Sequence, residues 1–377
     1  MVNIADFEKV YANRHTLAWQ WKQEGRKIFG YVYSLTPEEL LYAADIIPVQ
    51  LTEGEDSEDL RRGKVDMPET FCSYSLSLAG QGAAGVYQYL DGVIFTEACS
   101  QIKTSYEVWT ERFVPPFFEF MYVPDEHEEG TIKFYTACLR DLKKRLEAFL
   151  GREITDEALR QAVDVYNENR RLVKRLYETR LVDTPPISGS QIFEVMKAGL
   201  VMPKDQHNSM LKKLLAEIEK QEPEPKKNKP RIMAFAHIFE ECNGKVYPNF
   251  IRMMEELGGN VVYDELFWGG RYYDAEVAVQ GDVLEALADR YAGQVPHPSK
   301  YFTKNRVKYL LEGVEKYRVN GIVFFLPKYC QPYWFQQYLV EKALKEKDIP
   351  FLTVETVAGM PEASVRTRLE AFIEMIG

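Results

Sequence analysis

The sequence predicts an α/β protein built from two parallel-sheet domains and a helical middle region. Three observations carry that prediction. Gly321-Ile-Val-Phe-Phe-Leu-Pro327 is a short β-branched and aromatic run bounded by glycine and proline, the pattern of a strand buried on both faces. Gly92-Val-Ile-Phe-Thr96 has the same character, and each run leads through a short loop to a cysteine and a helical pattern, Cys330 in one case and Cys99 in the other. Near the N-terminus, a strand from Phe29, a helix from Thr36 and a strand over Ile46–Leu51 form a βαβ unit, which implies a parallel sheet. In open sheets of this kind, ligands sit beyond the carboxyl ends of the strands. Two cysteines displayed there in the same way suggest a metal site shared between two lobes.

At 377 residues the chain exceeds what one hydrophobic core usually serves. Composition and breaks divide it into 1–125, an α/β domain, 126–226, a helical region with a linker, and 227–377, a second α/β domain. No segment approaches the roughly 18 uninterrupted apolar residues of a membrane span. The N-terminal residues lack the build of a signal peptide, so a cytoplasmic protein with no membrane partner is expected. Lys and Arg number 47 against 57 Asp and Glu, a net charge of −10 that argues against nucleic acid as a partner. There is no P-loop and no dinucleotide fingerprint, so any nucleotide energy is expected to come through another chain.

Taken in order, residues 5–26 read as a helix anchored by Leu17, Trp19 and Trp21. Thr36-Pro37-Glu38-Glu39 reads as a helix start, with threonine as N-cap and Glu39 closing a capping box. A charged loop is expected over 53–64. A helix over 73–89 follows, whose Gly80, Gly82 and Gly85 allow a close neighbour. Phe113–Val123 adds an apolar stretch. From 129 to 220 the chain reads as helical: Tyr135, Cys138, Leu139, Leu142, Leu146 and Phe149 share one stripe, and Thr155 caps a second helix. Gln221–Pro230 is the clearest linker, being proline-rich and charged. Strands are expected at 231–235, 260–263, 321–326 and 350–354. The last helix, 363–376, should bury Val365, Leu369, Phe372, Ile373 and Ile376.

Five widely spaced cysteines in such a chain do not suggest a disulfide framework, and there is no C-x-x-C. Cys138 lies on an apolar helical stripe and reads as structural. Cys72, Cys99, Cys242 and Cys330 each fall where a loop or strand gives way to a helix or turn, where a helix N-terminus favours a thiolate. Spacing alone leaves both a metal site and buried thiols open.

The order and wording of six segments resemble the 2-hydroxyacyl-CoA dehydratase/benzoyl-CoA reductase family. They are Tyr33–Val49, Cys72-Ser-Tyr-Ser, Leu90-Asp-Gly-Val-Ile with Cys99, Leu257–Glu265 with Gly270-Arg271-Tyr272, Lys328–Tyr333 and Val365–Glu374. The resemblance covers essentially the whole chain. It implies two flavodoxin-like lobes with a helical region, holding one 4Fe–4S cluster. Carried over residue by residue, the ligands would be Cys72, Cys99 and Cys330, with Cys242 as a further candidate. The family branch with a double-cubane cluster needs more cysteines than this chain has. Where the family carries an acidic residue soon after a glutamate such as Glu355, this chain has Thr356-Val357.

The same resemblance implies a subunit of an enzyme that passes single electrons at low potential to an acyl-CoA thioester. Its partners would be a homologous sister subunit, an ATP-hydrolysing iron–sulfur activator and a ferredoxin-like donor upstream. The aromatic-rich composition, 21 Phe and 23 Tyr, inclines the reading to benzoyl-CoA reductase. The alternative is a 2-hydroxyacyl-CoA dehydratase working through a ketyl radical. His237, Glu97 and Tyr333 are the candidate proton donors, with Glu240 and Glu241 nearby, and Arg271 is the candidate for a substrate phosphate or carboxylate. A bilobal binding protein is the expectation from a different class.

Overall fold

A computed structural model describes the chain apart from residues 1, 34, 55, 124–125, 222–227, 237–246, 248, 267–268 and 295–302. It contains two four-stranded sheets, each wholly parallel. The first comprises β1 (Lys27–Val32), β2 (Ile46–Gln50), β3 (Gly92–Thr96) and β4 (Phe117–Met121), in the order β2-β1-β3-β4. The second comprises β5 (Arg231–Ala236), β6 (Asn260–Glu265), β7 (Gly321–Pro327) and β8 (Phe351–Thr356), in the order β6-β5-β7-β8. The two orders are the same, so the fold is α/β with two flavodoxin-like units. The central strands β3 and β7 are buried along their whole length, which is why their sequences are apolar without alternation. The apolar stretch after Phe113 supplies the edge strand β4.

The N-terminal stretch is two helices rather than one: α1 (Ile4–Ala12) and α2 (Arg14–Gln23) meet at Asn13, which ends the first and opens the second. The capping box at Thr36 does not form. Pro37 is the N-cap of α3 (Glu38–Ala43), without a side-chain cap, and Thr36 Oγ1 instead meets Thr96 Oγ1 at 2.6 Å. Glu38 and Glu39 are turned into the protein. Glu38 accepts from Tyr272 Oη at 2.9 Å and pairs with Lys204 at 3.4 Å. Glu39 pairs with Arg170 and accepts from Tyr291 Oη at 2.8 Å. Burial pushes the Glu39 carboxyl up, but Arg170 and Arg290 outweigh it and hold the group below its ordinary value.

The expected charged loop over 53–64 contains a helix, α4 (Ser57–Gly63), capped by Asp56, whose side chain accepts from Glu58 N. The helix after it, α5 (Ser73–Ala83), is shorter than expected and lies against α4. The close approach is mutual: a Cβ on Gly63 would stand 1.9 Å from Leu76 O, and one on Gly80 1.8 Å from Asp59 O. After β3 comes α6 (Ser100–Arg112).

The middle of the chain forms α7 (Glu129–Leu150), α8 (Asp156–Glu178), α9 (Gly189–Leu200) and α10 (Lys204–Ile218). Thr155 caps α8 as expected, its side chain accepting from Ala158 N. On α7 the residues Tyr135, Leu139, Leu142 and Leu146 are buried, and Cys138 is half-buried beside them. In the second half lie α11 (Phe250–Glu256), α12 (Val283–Gly293), α13 (Thr303–Lys316), α14 (Gln331–Lys345) and α15 (Glu362–Ile376). On α15, Val365, Leu369, Phe372 and Ile373 are buried, with Ile376 partly so.

One hydrophobic cluster runs continuously from a face of the first sheet through α9 and α10 to the second sheet. A separate cluster covers the opposite face of the first sheet. It combines Phe29, Tyr31 and Ile94 with the α7 stripe and with Val277, Val283, Leu284, Leu287 and Tyr291. The segment after β6 therefore reaches back to cover the first sheet. Together with the Glu38 and Glu39 network, it fixes the two sheets relative to each other.

Candidate functional site

Both sheets reverse their strand order beside their first strand, between β1 and β3 and between β5 and β7. The carboxyl ends there form the crevice where such folds bind ligands. Cys99 follows β3 and Cys330 follows β7. Each is an N-cap residue, Cys99 of α6 and Cys330 of α14, and Cys72 is the N-cap of α5. A helix N-terminus leaves N–H groups without an intrahelical partner and carries partial positive charge, so all three sulfurs sit where negative charge is favoured.

The local electrostatics are balanced against that field. Cys330 is 9% exposed, while Cys72 and Cys99 are half-buried. Burial pushes the Cys72 thiol up to about 12, with the neighbouring Cys99 adding to the rise, while the Ser75 hydroxyl, 3.4 Å from the sulfur, opposes it. Burial also raises Cys99, against the pull of the Ile102 and Gln101 backbone amides. Without a cation the Cys72 and Cys99 thiols stay protonated at neutral pH, and a metal would displace those protons.

The cysteine loops are tied together. Gln101 Oε1 accepts from Cys72 N at 2.8 Å, and Gln101 Nε2 donates to Tyr329 O at 3.4 Å. Tyr247 Oη donates to Ser73 Oγ at 3.1 Å, a second link between the two lobes. Beside this junction is a cavity of about 630 Å3 lined by Cys72, Tyr247, Lys328 and Tyr329, with Arg61 and Lys64 also on its wall.

Two residues that sequence reasoning missed belong to the site. Tyr33, at the end of β1, is raised well above the ordinary tyrosine value, first by burial and then by the nearby Cys99, Cys330 and Cys72 thiols. One phenol thus feels all three sulfurs. Glu53, beyond the carboxyl end of β2, is 1% exposed, and among the described residues neither of its oxygens has a hydrogen-bond partner within bonding geometry. Burial pushes it up to about 8, with the Ser73 hydroxyl close enough to offset this only in part, and it adds to the rise of Cys72. Glu53 stands at the start of a charged run, which hides it. Its place just after a parallel strand is the signal that could have found it.

Of the residues expected from sequence, Tyr333 is buried in the first turn of α14. Its hydroxyl accepts from Arg271 Nη2 at 3.4 Å, and the Arg306 guanidinium lies over its ring at 4.9 Å. Arg271 is itself buried, with Nε 3.0 Å from Glu265 Oε1, and Arg306 meets the other oxygen of Glu265 at 2.8 Å. Glu97 is half-buried between β3 and Cys99, its backbone N–H bonded to Met121 O at 2.8 Å. His237, Glu240, Glu241 and Cys242 lie outside the described residues. Among the described residues, no group of three or more His, Cys, Asp or Glu side chains could hold a single metal ion. A cubane places each thiolate on a different iron, so its ligands need not crowd as those of one ion do.

The fold and crevice thus define a two-lobed α/β protein with thiols from both lobes at helix N-termini. The sequence places it more narrowly: residues 33–376 match the family model described as 2-hydroxyglutaryl-CoA dehydratase, D-component, and the chain belongs to that family. It is 29% identical over 357 residues to one of the subunits of benzoyl-CoA reductase from Thauera aromatica, covering 93% of this chain and 91% of that one. It is 26% identical to the (R)-phenyllactyl-CoA dehydratase beta subunit of Clostridium sporogenes, covering 99% and 97%. With the beta subunit of (R)-2-hydroxyglutaryl-CoA dehydratase from Acidaminococcus fermentans it shares 24%, covering 99% and 98%. Among the described residues no helix is long and apolar enough to cross a membrane.

Proposed function

We propose that the chain is the iron–sulfur subunit of an ATP-dependent benzoyl-CoA reductase acting in the cytoplasm, with Cys72, Cys99 and Cys330 holding one 4Fe–4S cluster. The observation that carries this reading is that three cysteines, drawn from both lobes, each begin a helix, and that Gln101, two residues past Cys99, is hydrogen-bonded both to Cys72 N and to the carbonyl just before Cys330. The donor set fits the group: thiolates suit iron–sulfur chemistry, and three of them leave one iron open or free for Cys242. When bound, such a cluster supplies single electrons at low potential.

The chain's own residues would do the rest. The N-termini of α5, α6 and α14 stabilise negative charge at the sulfurs. Glu53, buried, holds a proton at neutral pH close enough to Cys72 to raise it, and is added to Glu97, Tyr333 and His237 as a proton donor. Arg271, engaged by Glu265, serves through Tyr333 in this reading, while on the cavity wall, where Arg61 is paired with Glu58 and Lys64 with Glu69, Lys328 suits a phosphate of a CoA ester. A homologous sister subunit, an ATP-hydrolysing iron–sulfur activator and a ferredoxin-like donor complete the system.

A second reading, a subunit of a 2-hydroxyacyl-CoA dehydratase, is favoured by the family's description and by the dehydratase names of the other relatives. Anaerobic assay of the assembled complex separates the two. A reductase consumes ATP and electrons in proportion to benzoyl-CoA converted. A dehydratase turns over a 2-hydroxyacyl-CoA with only catalytic amounts of either.

A further inference from the structure

Tyr33 is the first residue past β1, at the point where the first sheet reverses its strand order. Its φ is +79°, in the left-handed region that favours glycine. A bulky aromatic residue held there is strained, and such strain persists only where the surroundings enforce it. They do so here. The ring is 4% exposed and stands edge-on to Tyr74, with centroids 6.2 Å apart. The loop after it is fastened by Thr36 N to Tyr33 O at 3.3 Å and by the Thr36–Thr96 hydroxyl contact. Tyr33 thus lies at the carboxyl ends of the paired strands β1 and β3, where the chain after β3 reaches Cys99, and its ring meets Tyr74 in the first turn of the helix that Cys72 caps. After burial, Cys99, Cys330 and Cys72 all raise its hydroxyl.

We propose that Tyr33 is a positioning residue for the group held by these cysteines, its hydroxyl donating a hydrogen bond to a cluster sulfur and raising the reduction potential. This rests on the cluster assignment made above. The physical reason is that a donor directed at sulfur disperses negative charge, and the reduced state carries more of it.

The test uses the full-length protein, purified anaerobically, with iron content, electron paramagnetic resonance and a redox titration as readouts. Tyr33→Phe removes only the hydroxyl. The expected result is wild-type iron content with a tenfold lower reduced-to-oxidised ratio at the wild-type midpoint, about 59 mV for a one-electron couple. Tyr33→His keeps a ring N–H donor and recovers part of that ratio. If Y33F holds less iron than wild type, the comparison of Y33H with wild type decides: a ratio nearer to wild type than tenfold supports the role, and a full tenfold loss overturns it. An unchanged ratio and spectrum in fully loaded Y33F overturns the role of Tyr33 and leaves the cluster assignment standing. Wild-type protein that takes up no iron overturns both.

Discussion

Gln101 binds Cys72 through the backbone: its Oε1 accepts the Cys72 N–H at 2.8 Å while its Nε2 reaches the carbonyl of Tyr329 at 3.4 Å. One side chain, two residues beyond Cys99, therefore fixes the chain at Cys72 and just before Cys330. Gln101→Ala should reduce stability by about 1–2 kcal/mol, the range for losing a hydrogen bond and stranding its partner. It should also speed iron loss to a chelator although every cysteine is intact. Gln101→Glu, which keeps the acceptor for Cys72, should fall between the two. Chelator-release rates equal to wild type in Q101A would show that the link does not set the site.

Glu39 and Arg170 form a pair that is buried on both sides, 0% and 2% exposed. Removing one partner strands the other charge, so Glu39→Ala should cost about 3–5 kcal/mol. Replacing both, Glu39→Leu with Arg170→Met, should recover much of that loss. Urea unfolding of the two variants measures it.

The same pair shows where local sequence reading stops. Thr36-Pro37-Glu38-Glu39 has the residue types of a capping box, but Arg170, Tyr291 and Lys204 decide the outcome, and they are more than a hundred residues away. The central strands were legible because burial on both faces leaves an uninterrupted apolar run, as in Gly321–Pro327. Helix α4 was hidden because it is short and polar, and it is held by the backbone contacts at Gly63 and Gly80 rather than by an apolar stripe. The placement of Cys72, Cys99 and Cys330 at helix starts followed from strand, loop and helix patterns. The left-handed backbone of Tyr33 and the burial of Glu53 did not, since both are products of tertiary packing.

Glu53 makes stability fall on the alkaline side. Its carboxyl rises from an ordinary value near 4.5 to about 8 on folding, so the folded state keeps a proton that the unfolded chain releases. The contribution is complete below about 4.5 and is lost as pH rises through 8, with a slope approaching 1.4 kcal/mol per pH unit. Glu53→Gln should remove that slope between pH 5 and 8 and gain stability relative to wild type as pH rises. Parallel denaturation curves for the two proteins at every pH would refute this. In the assembled complex the same variant should lose about 100-fold or more in turnover, the scale of a missing proton donor.

His207 acts in the opposite direction. It is buried, with Nε2 3.0 Å from Val195 O and Nδ1 2.9 Å from Asn169 Nδ2, and burial followed by the Lys204 charge lowers it to about 3. Its folded value lies below the unfolded 6.5, so stability is lost as pH falls from 6.5 toward 3. His207→Gln should flatten the acid limb of thermal denaturation measured between pH 4 and 7, whatever it costs at neutral pH.

The most direct measurement is iron and acid-labile sulfide in anaerobically purified protein, made for wild type and for Cys72→Ser, Cys99→Ser, Cys330→Ser and Cys138→Ser. Wild type and C138S should each carry on the order of four iron and four sulfide per chain, and each of the other three should lose most of both. Wild-type protein without iron, or full loading in all three ligand variants, would contradict a cluster held by thiols from both lobes.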